Sequence, residues 1–235
     1  MIDMLGQRRL VDEVADRVRD KIYADEYVPG DRLRQERLAA EFSVSRTPLR
    51  EALRMLERDG LVAVSPSRGV QVADAEPRHL LAAYEVREVV GGLAARLAAD
   101  GCTPELVAHL RRHIECQDAM LEPWNARLWT RMSVAFHVTI LEHAGNPVLL
   151  SQAPLIRLTA QVFYPYQRLD PARAAAALDE HREVSEAICE GDVRRAEEAA
   201  RAHVRRTREA LVALEPAAAG PGKEGSPTRL RRRRA

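Results

Sequence analysis

The 235-residue sequence predicts a mainly α-helical protein, in which a small amino-terminal head is followed by an all-α antiparallel helical bundle. Apolar residues recur at helical spacing along most of the chain, and a pattern of two short strands falls near residues 61–72. Glycine and proline breaks then divide the remainder into helix-length pieces joined by short connections. The length suits two modest domains, each able to bury a core.

The first helix of the head is predicted from Gln7 to about Asp25, and the proline-glycine pair at Pro29-Gly30 follows its end. A second, short helix is predicted from Arg34 to Glu41. The apolar residues at helical spacing are expected to face inward: Leu10, Val11, Val14, Val18 and Ile22 in the first helix, and Leu38 and Phe42 in the second.

A third helix is predicted between Ser43 and Gly60, with the Ser45 hydroxyl as its N-cap and Pro48 in its first turn. One face is apolar and the opposite face is mostly arginine. The apolar arc holds Pro48, Leu49, Ala52, Leu53 and Leu56, and the opposite arc holds Arg46, Thr47, Arg50, Glu51, Arg54 and Arg58. Such a row of arginines suits the phosphates and guanine acceptors of duplex DNA. Periodicity alone also fits an ordinary amphipathic helix with a solvated charged face.

The segments around this helix favour the DNA-binding interpretation. Leu61–Val64 and Val70–Val72 are predicted to be short strands joined by a turn at Ser65–Gly69. Helix, turn, arginine-bearing helix and hairpin is the order of a winged helix-turn-helix. The formal net charge is only +1, but residues 32–54 hold six arginines against three glutamates, which is the local charge expected of a DNA-reading face.

Beyond the head the pattern is helical until a composition change near Pro216. We therefore predict a winged helix-turn-helix domain at 1–73, a linker at 74–77, an effector and dimerisation domain at 78–214, and a disordered basic tail at 215–235. The tail ends in an arginine cluster that either adds nonspecific attraction to DNA or has no role. The predicted bundle helices are 78–100, 104–121, 124–143, 147–164, 172–190 and 192–214.

Three histidines lie on apolar faces of three different bundle helices: His137, His181 and His203. A single inward histidine is usually a hydrogen-bonded core residue, whereas three neutral imidazoles that converge suit Zn²⁺ or Ni²⁺. Their predicted inward neighbours are Val134, Ile140, Leu141 and Ala144 for the first, Ala174, Ala177, Leu178, Val184 and Ile188 for the second, and Ala196, Ala199, Ala200 and Thr207 for the third.

Four segments of the head together resemble the GntR family of bacterial transcription regulators: Pro29–Leu33, Leu38-Ala39, Val44–Leu53 and Leu56–Val62. The resemblance implies that Arg46 and Arg50 reach base edges or phosphates, that Thr47 contacts the DNA backbone, and that a wing at Arg68-Gly69 enters the minor groove. Arg34 and Arg54 complete the predicted DNA-binding set. Some family members carry a further reading arginine early in the second helix, where this chain has Glu36, so no base contact is expected from that position.

The bundle resembles the FCD effector domain of the FadR-type GntR subfamily, over about 78–214. The residues that carry this likeness are Phe136-His137, Ala144–Pro147, Glu180-His181 and the run from Ala187 to His203. Many relatives bind a divalent metal through these histidines plus an aspartate one turn before the first, and this chain has Ser133 there. The serine implies an open three-histidine site, a ligand bridged by water, or a polar pocket that binds an effector without metal.

Two further residues are predicted to contact an effector. Arg87 stands where relatives often place a pocket arginine, which would clamp an organic acid; the alternative is a surface arginine paired with Glu85 or Glu88. Tyr164 is the second, with packing at the pocket rim as its alternative. Gly91-Gly92 in mid-helix predicts a kink or a close approach of another backbone or ligand.

The predicted function is therefore a ligand-responsive transcription regulator, a repressor and not an enzyme, that binds a palindromic operator in double-stranded DNA as a homodimer. The predicted effector is a small organic acid. Two alternatives stay open. One is a metal-dependent hydrolase, although no carboxylate is positioned on the histidine faces as a general base; the other is a ligand-independent DNA-binder with an inert bundle.

Cysteine usage and hydropathy place further limits. Cys102, Cys116 and Cys189 are odd in number and widely spaced, so they fit neither a disulfide framework nor a metal knuckle. The amino terminus has no apolar signal segment, and no stretch approaches the ~20 apolar residues that span a bilayer. We expect a cytoplasmic protein without membrane contact.

Overall fold

The structure, a computed structural model, describes residues 4–24, 26–65, 67, 69–73, 77–162 and 169–214. Arg68, Tyr164, most of the predicted linker and the predicted tail lie outside these described residues. None of the helices in these ranges combines the length and the hydropathy of a membrane span.

The head is a winged helix-turn-helix, as the sequence predicts. It contains α1 (Met4–Tyr23), α2 (Gln35–Phe42), α3 (Arg46–Arg58), β1 (Val62–Ser65) and β2 (Gly69–Val72). The two strands are antiparallel, with Val62 opposite Val72 and Ser65 opposite Gly69. Gly69 has a φ of +74°, a left-handed conformation that glycine adopts at no steric cost and that the tight end of the wing requires.

The head core follows the predicted helical faces. All five predicted apolar residues of α3 are buried, and Val14, Val18 and Ile22 of α1 join them. Two expectations are wrong. Leu10 is 37% exposed rather than inward, because it lies about 100° around α1 from Val11, at the edge of the buried arc. Ser45 occupies the N-cap position of α3 with extended backbone, but its hydroxyl makes no capping hydrogen bond.

The bundle is all-α and largely follows the predicted breaks. Its long helices are α4 (Pro77–Asp100), α5 (Pro104–Ala119), α6 (Ala126–His143), α9 (Pro171–Cys189) and α10 (Val193–Leu214). The prediction of one helix over 147–164 is wrong. That stretch forms α7 (Pro147–Leu150), α8 (Ala153–Arg157) and a π-helical segment, Leu158–Val162. Pro154 lies in the first turn of α8, where its missing N–H costs little, and it would interrupt a continuous helix.

Helix α10 packs against α4 and α9, and α5 packs against α6 and α9. The glycine pair of α4 produces no break in that helix, which is continuous from Pro77 to Asp100. It instead permits a close approach, because a Cβ at Gly92 would lie 2.6 Å from Cγ of Arg201 on α10. The close approach at the glycine pair is therefore made by a side chain of α10 rather than by a backbone or a ligand.

The head and the bundle meet at the π-helical segment. Leu158 packs against the head core, and a Cβ at Gly60 would lie 3.4 Å from its Cδ2. The preceding Arg157 places its guanidinium 5.5 Å from the ring centroid of Tyr23 at the end of α1. One short segment thus contacts the head from the bundle side.

Candidate functional site

The predicted DNA-reading side chains lie together on the outer face of α3. Arg46, Thr47, Arg50 and Arg54 are all exposed, and Arg34 is exposed at the N-cap of α2. Their exposure follows from the burial of the opposite arc, since a helix that seats its leucines on a core must turn its arginines to solvent. The face is therefore available to a polyanion.

Two of these arginines are paired with carboxylates. Arg46 lies 2.7 Å from Glu36, with both side chains more than 70% exposed, and Arg54 lies 2.8 Å from Glu51. Exposed pairs of this kind contribute about 0–1 kcal/mol, so DNA phosphates can displace them at little cost. Arg50 has no ion pair among the described residues. Glu36, which stands where some family members carry a further arginine, thus pairs with Arg46 of α3.

The three histidines predicted to converge do converge. Their donor nitrogens all lie within 4.8 Å of one another, and the ring centroids of His137 and His203 are 5.0 Å apart. His181 is fully buried and His203 is 4% exposed, at the centre of the bundle. Each predicted apolar neighbour on their arcs is also buried, apart from the half-buried Thr207. Helical periodicity placed all three imidazoles correctly.

Hydrogen bonds behind the rings orient two of the imidazoles. His181 Nδ1 donates to Gln117 Oε1 at 2.6 Å, and His203 Nδ1 donates to Glu180 Oε2 at 2.7 Å. Each ring therefore carries its lone pair on Nε2, and these two nitrogens face each other at 3.3 Å. Such outer hydrogen bonds are typical of metal-binding histidines, whose free nitrogen they aim at the ion.

The electrostatic state of the cluster also suits a cation. Burial lowers the pKa of all three imidazoles well below the usual value, and nearby charged groups such as Arg87 lower it further. The rings are neutral at neutral pH, which is the form that coordinates metals. His137 Nε2 is buried without a hydrogen-bond partner in the described structure. An orphaned buried nitrogen beside two facing lone pairs fits a divalent ion.

Ser133 lies one turn before His137 on α6 and is buried, at 9% exposure. It lines a cavity of about 50 Å³ together with Arg87, Trp129, Arg173 and His203. This volume holds a few water molecules or a ligand group of a few heavy atoms. The serine thus leaves room beside the histidines where a carboxylate ligand would otherwise stand.

Arg87 is buried in the bundle, at 4% exposure, so the surface alternative is wrong. The adjacent acids pair elsewhere: Glu88 with Arg205 at 2.9 Å and Glu85 with Arg208 at 3.0 Å. Its Nη1 lies 3.4 Å from the Tyr84 hydroxyl and 3.2 Å from the Thr159 hydroxyl. Burial lowers its pKa. Within the described residues this guanidinium has no carboxylate partner, which is costly for a buried charge.

Sequence reasoning missed the polar groups that support the pocket. Gln117 is fully buried on α5. Glu180 orients His203 and also accepts hydrogen bonds from Nη1 and Nη2 of Arg173, at 3.3 and 3.2 Å. Glu180 lies behind the imidazole of His203 and is paired with Arg173, so it orients that ring and is not placed as a general base beside the three facing nitrogens. The sequence signal was the position of Glu180 directly before His181; Gln117 and Arg173 carried no such signal.

A winged helix-turn-helix beside a helical domain with a histidine-lined pocket suits a DNA-binding regulator with a sensing domain. Residues 10–72 match the family described as bacterial regulatory proteins, gntR family, and residues 82–206 match the FCD domain. The chain therefore belongs to the GntR family, in its FCD-containing group. The members compared are transcription regulators, so the protein is not an enzyme and the hydrolase alternative is dropped.

Two relatives illustrate the family. An uncharacterized HTH-type transcriptional regulator in an unstable DNA locus of Streptomyces ambofaciens is 33% identical over 199 residues, or 80% of this chain and 79% of the relative. The galactonate operon transcriptional repressor of Escherichia coli is 28% identical over 201 residues, or 77% of this chain and 87% of the relative. Among solved structures, E. coli McbR/YncC aligns with a TM-score of 0.75 at 21% identity, over 87% of this chain and 97% of that one. At that identity the structural match supports the fold alone.

Proposed function

We propose that the protein is a transcription repressor whose affinity for a palindromic operator is set by a small organic acid bound in the bundle pocket beside a divalent metal. In this proposal residues 1–73 bind DNA, 74–77 link the two parts, and 78–214 bind the effector and form a homodimer. Named relatives that are repressors, such as the galactonate operon regulator of E. coli, support the direction of regulation.

The observation that carries the proposal is the unpaired Arg87. A buried guanidinium without a carboxylate among the described residues stands beside a cavity that His203 also lines. An organic acid would supply the missing negative charge through charge-assisted, bidentate hydrogen bonds. Galactonate, for which the E. coli relative's operon is named, is itself an organic acid.

The histidine cluster would hold the metal. His137, His181 and His203 would provide three neutral nitrogen ligands, with Gln117 and Glu180 as the outer hydrogen-bond partners. Zn²⁺ or Ni²⁺ suits such a donor set. When bound, the ion would supply positive charge and open coordination positions for an anionic oxygen. Ser133 would leave one of those positions to the ligand or to water.

The π-helical segment offers a route from the pocket to the head. Thr159 accepts a hydrogen bond from Arg87 at 3.2 Å, while the adjacent Leu158 packs against the head core beside Gly60. A ligand that draws Arg87 away from Thr159 would change the packing of Leu158 on the head. Single π-helical turns in helical structure are frequent at functional sites. The effector could shift operator affinity only by its differential affinity for the two head positions.

The α3 face would enter the major groove, with Arg46 and Arg50 at base edges or phosphates and the wing in the minor groove. Arg34, Thr47 and Arg54 would contact the DNA backbone. A homodimer would place two such heads on a two-fold symmetric operator. Sedimentation of the free protein would measure the oligomeric state directly.

A combined binding experiment tests the proposal. The operator is first selected from a random duplex pool, and its affinity is measured with the metal-loaded protein while a panel of small carboxylic acids is titrated. We expect at least one acid to change operator affinity and to raise the melting temperature of the protein. In Arg87→Met both effects should require at least about tenfold more of that acid. A ligand-independent DNA-binder predicts no change with any acid. Metal analysis of untreated protein without any bound ion would remove the metal from the proposal.

A further inference from the structure

A second group of metal-ligating side chains lies outside the pocket, at the packed junction of α5 and α6. Glu105 and His109 are one turn apart on α5, and His143 is the last residue of α6. One ligand atom from each of the three lies within 4.8 Å of the others. We infer that these three side chains form a second divalent metal site, at the surface of the bundle.

The His143 ring is oriented for this role. Its Nδ1 donates to the carbonyl oxygen of Thr139, one turn earlier on α6, at 2.9 Å. With Nδ1 donating to that carbonyl, Nε2 is the nitrogen that faces away from α6 toward an ion, and a backbone carbonyl is a common outer partner of metal-binding histidines. The His109 ring stands edge-on to it, with the centroids 5.6 Å apart and the planes at 77°.

The two helices hold the ligands in a fixed register. The Thr103 side chain accepts from the amide of Leu106 at 3.2 Å and fixes the first turn of α5, which carries Glu105. One turn beyond His109, His113 Nε2 lies 2.9 Å from the Thr139 hydroxyl and joins α5 to α6. The same threonine thus positions α5 through its hydroxyl and the His143 ring through its carbonyl.

Nothing in the described structure competes for these ligands. Glu105 and His109 make no hydrogen bond or ion pair there, so neither side chain has to give up a protein partner to bind an ion. Glu105 is exposed and the two histidines are half-buried, so water can reach the group. Small rotations of such side chains bring the donors to the roughly 3.3 Å spacing that a tetrahedral ion with bonds of about 2.0–2.1 Å requires.

Two imidazoles and a carboxylate suit Zn²⁺, Ni²⁺ or Co²⁺ and leave coordination positions for water. The group shares no residue with the pocket cluster. His143 and His137 are six residues apart on α6, or about 9 Å along the axis at 1.5 Å per residue. Because it is open to solvent, this site would exchange metal with the medium, whereas the buried cluster would hold its ion behind the bundle core.

The test is Zn²⁺ titration of the full chelator-treated chain, with bound metal counted after desalting. We expect the double variant His109→Ala, His143→Ala to bind one Zn²⁺ fewer per chain than the unmodified protein, and Glu105→Gln to weaken that ion at least tenfold. His79→Asn removes an exposed imidazole on α4 and serves as the matched control, with no loss expected. Circular dichroism without metal checks the fold of each variant; Glu105→Gln decides the matter if the double variant fails to fold.

Equal stoichiometry and affinity in the unmodified protein and the double variant would overturn the surface site. An equal loss in the His79→Asn control would also overturn it, because it would mean nonspecific binding to exposed histidines. The buried cluster is tested separately by His181→Ala. If that variant keeps all its Zn²⁺ while the double variant loses one ion, the result supports the surface site and refutes metal binding in the proposed effector pocket.

Discussion

Replacement of Arg87 by methionine separates a ligand-binding role from a structural one. The arginine is 4% exposed, and its described hydrogen-bond partners are two neutral hydroxyls at 3.4 and 3.2 Å. Methionine is shorter than arginine but fills irregular apolar space, and the replacement removes the long contact to the buried Tyr84 hydroxyl. Thr159 keeps its own hydrogen bond to the carbonyl of Leu155, at 2.8 Å, so the change leaves that hydroxyl satisfied.

The expected free-energy change follows from these contacts. Burying an ion costs several kcal/mol even after relaxation. Hydrogen bonds to a charged group stabilise the folded state by about 1.5–3 kcal/mol each at good geometry. The bond to Tyr84 is long, at 3.4 Å, so it offsets less of the burial cost. We therefore expect Arg87→Met to raise the unfolding free energy of the ligand-free protein by about 1–3 kcal/mol. Loss of the carboxylate contact should weaken effector binding by about 1.5–3 kcal/mol, or roughly 10- to 150-fold.

Two assays measure the expected gain in stability and the expected loss of effector affinity. Urea denaturation of chelator-treated, ligand-free protein reports stability, and calorimetric titration with an organic acid that raises the melting temperature reports binding. The matched control is Arg205→Met, which removes an exposed arginine paired with Glu88, where a change within about 0.5 kcal/mol is expected. If Arg87→Met instead destabilises the ligand-free protein and leaves acid binding intact, Arg87 is a structural anchor and the reasoning is wrong.

Four further outcomes are expected. Arg50→Ala should weaken specific operator binding by about 1–3 kcal/mol in a mobility-shift titration. Unchanged operator affinity would show that α3 does not bind in the major groove through this residue. His181→Ala should lower metal content by elemental analysis together with melting temperature, and a variant that keeps its metal would argue against the pocket site. Leu158→Ala should reduce the effector-induced change in operator affinity but preserve ligand-free DNA binding; a full response would exclude this segment as the route to the head. Glutamine in place of the arginines at 229–234 should flatten the salt dependence of DNA binding without changing sequence preference, and an unchanged slope would leave the tail without a DNA role.

Much of the fold was predictable because apolar spacing states which face of each helix is buried. The α3 arc is an example: its leucines are buried and its arginines are exposed, as the 100° repeat requires. The same repeat placed His137, His181 and His203 inward on three helices. The stretch 147–164 was misjudged, because a proline in mid-segment was read as part of a continuous helix although it begins a new one.

The sequence by itself determined the two-part architecture, the exposed arginine face of α3 and the inward histidines, because local periodicity encodes these features. The tertiary structure alone decided what those side chains contact. Gln117 and Glu180 reach the histidines from other positions on α5 and α9, Arg87 is buried beside Thr159, and Glu105 on α5 meets His143 at the end of α6. These contacts depend on how far one helix is shifted along another, and helix-to-helix packing sets that register through the shapes of many side chains at once.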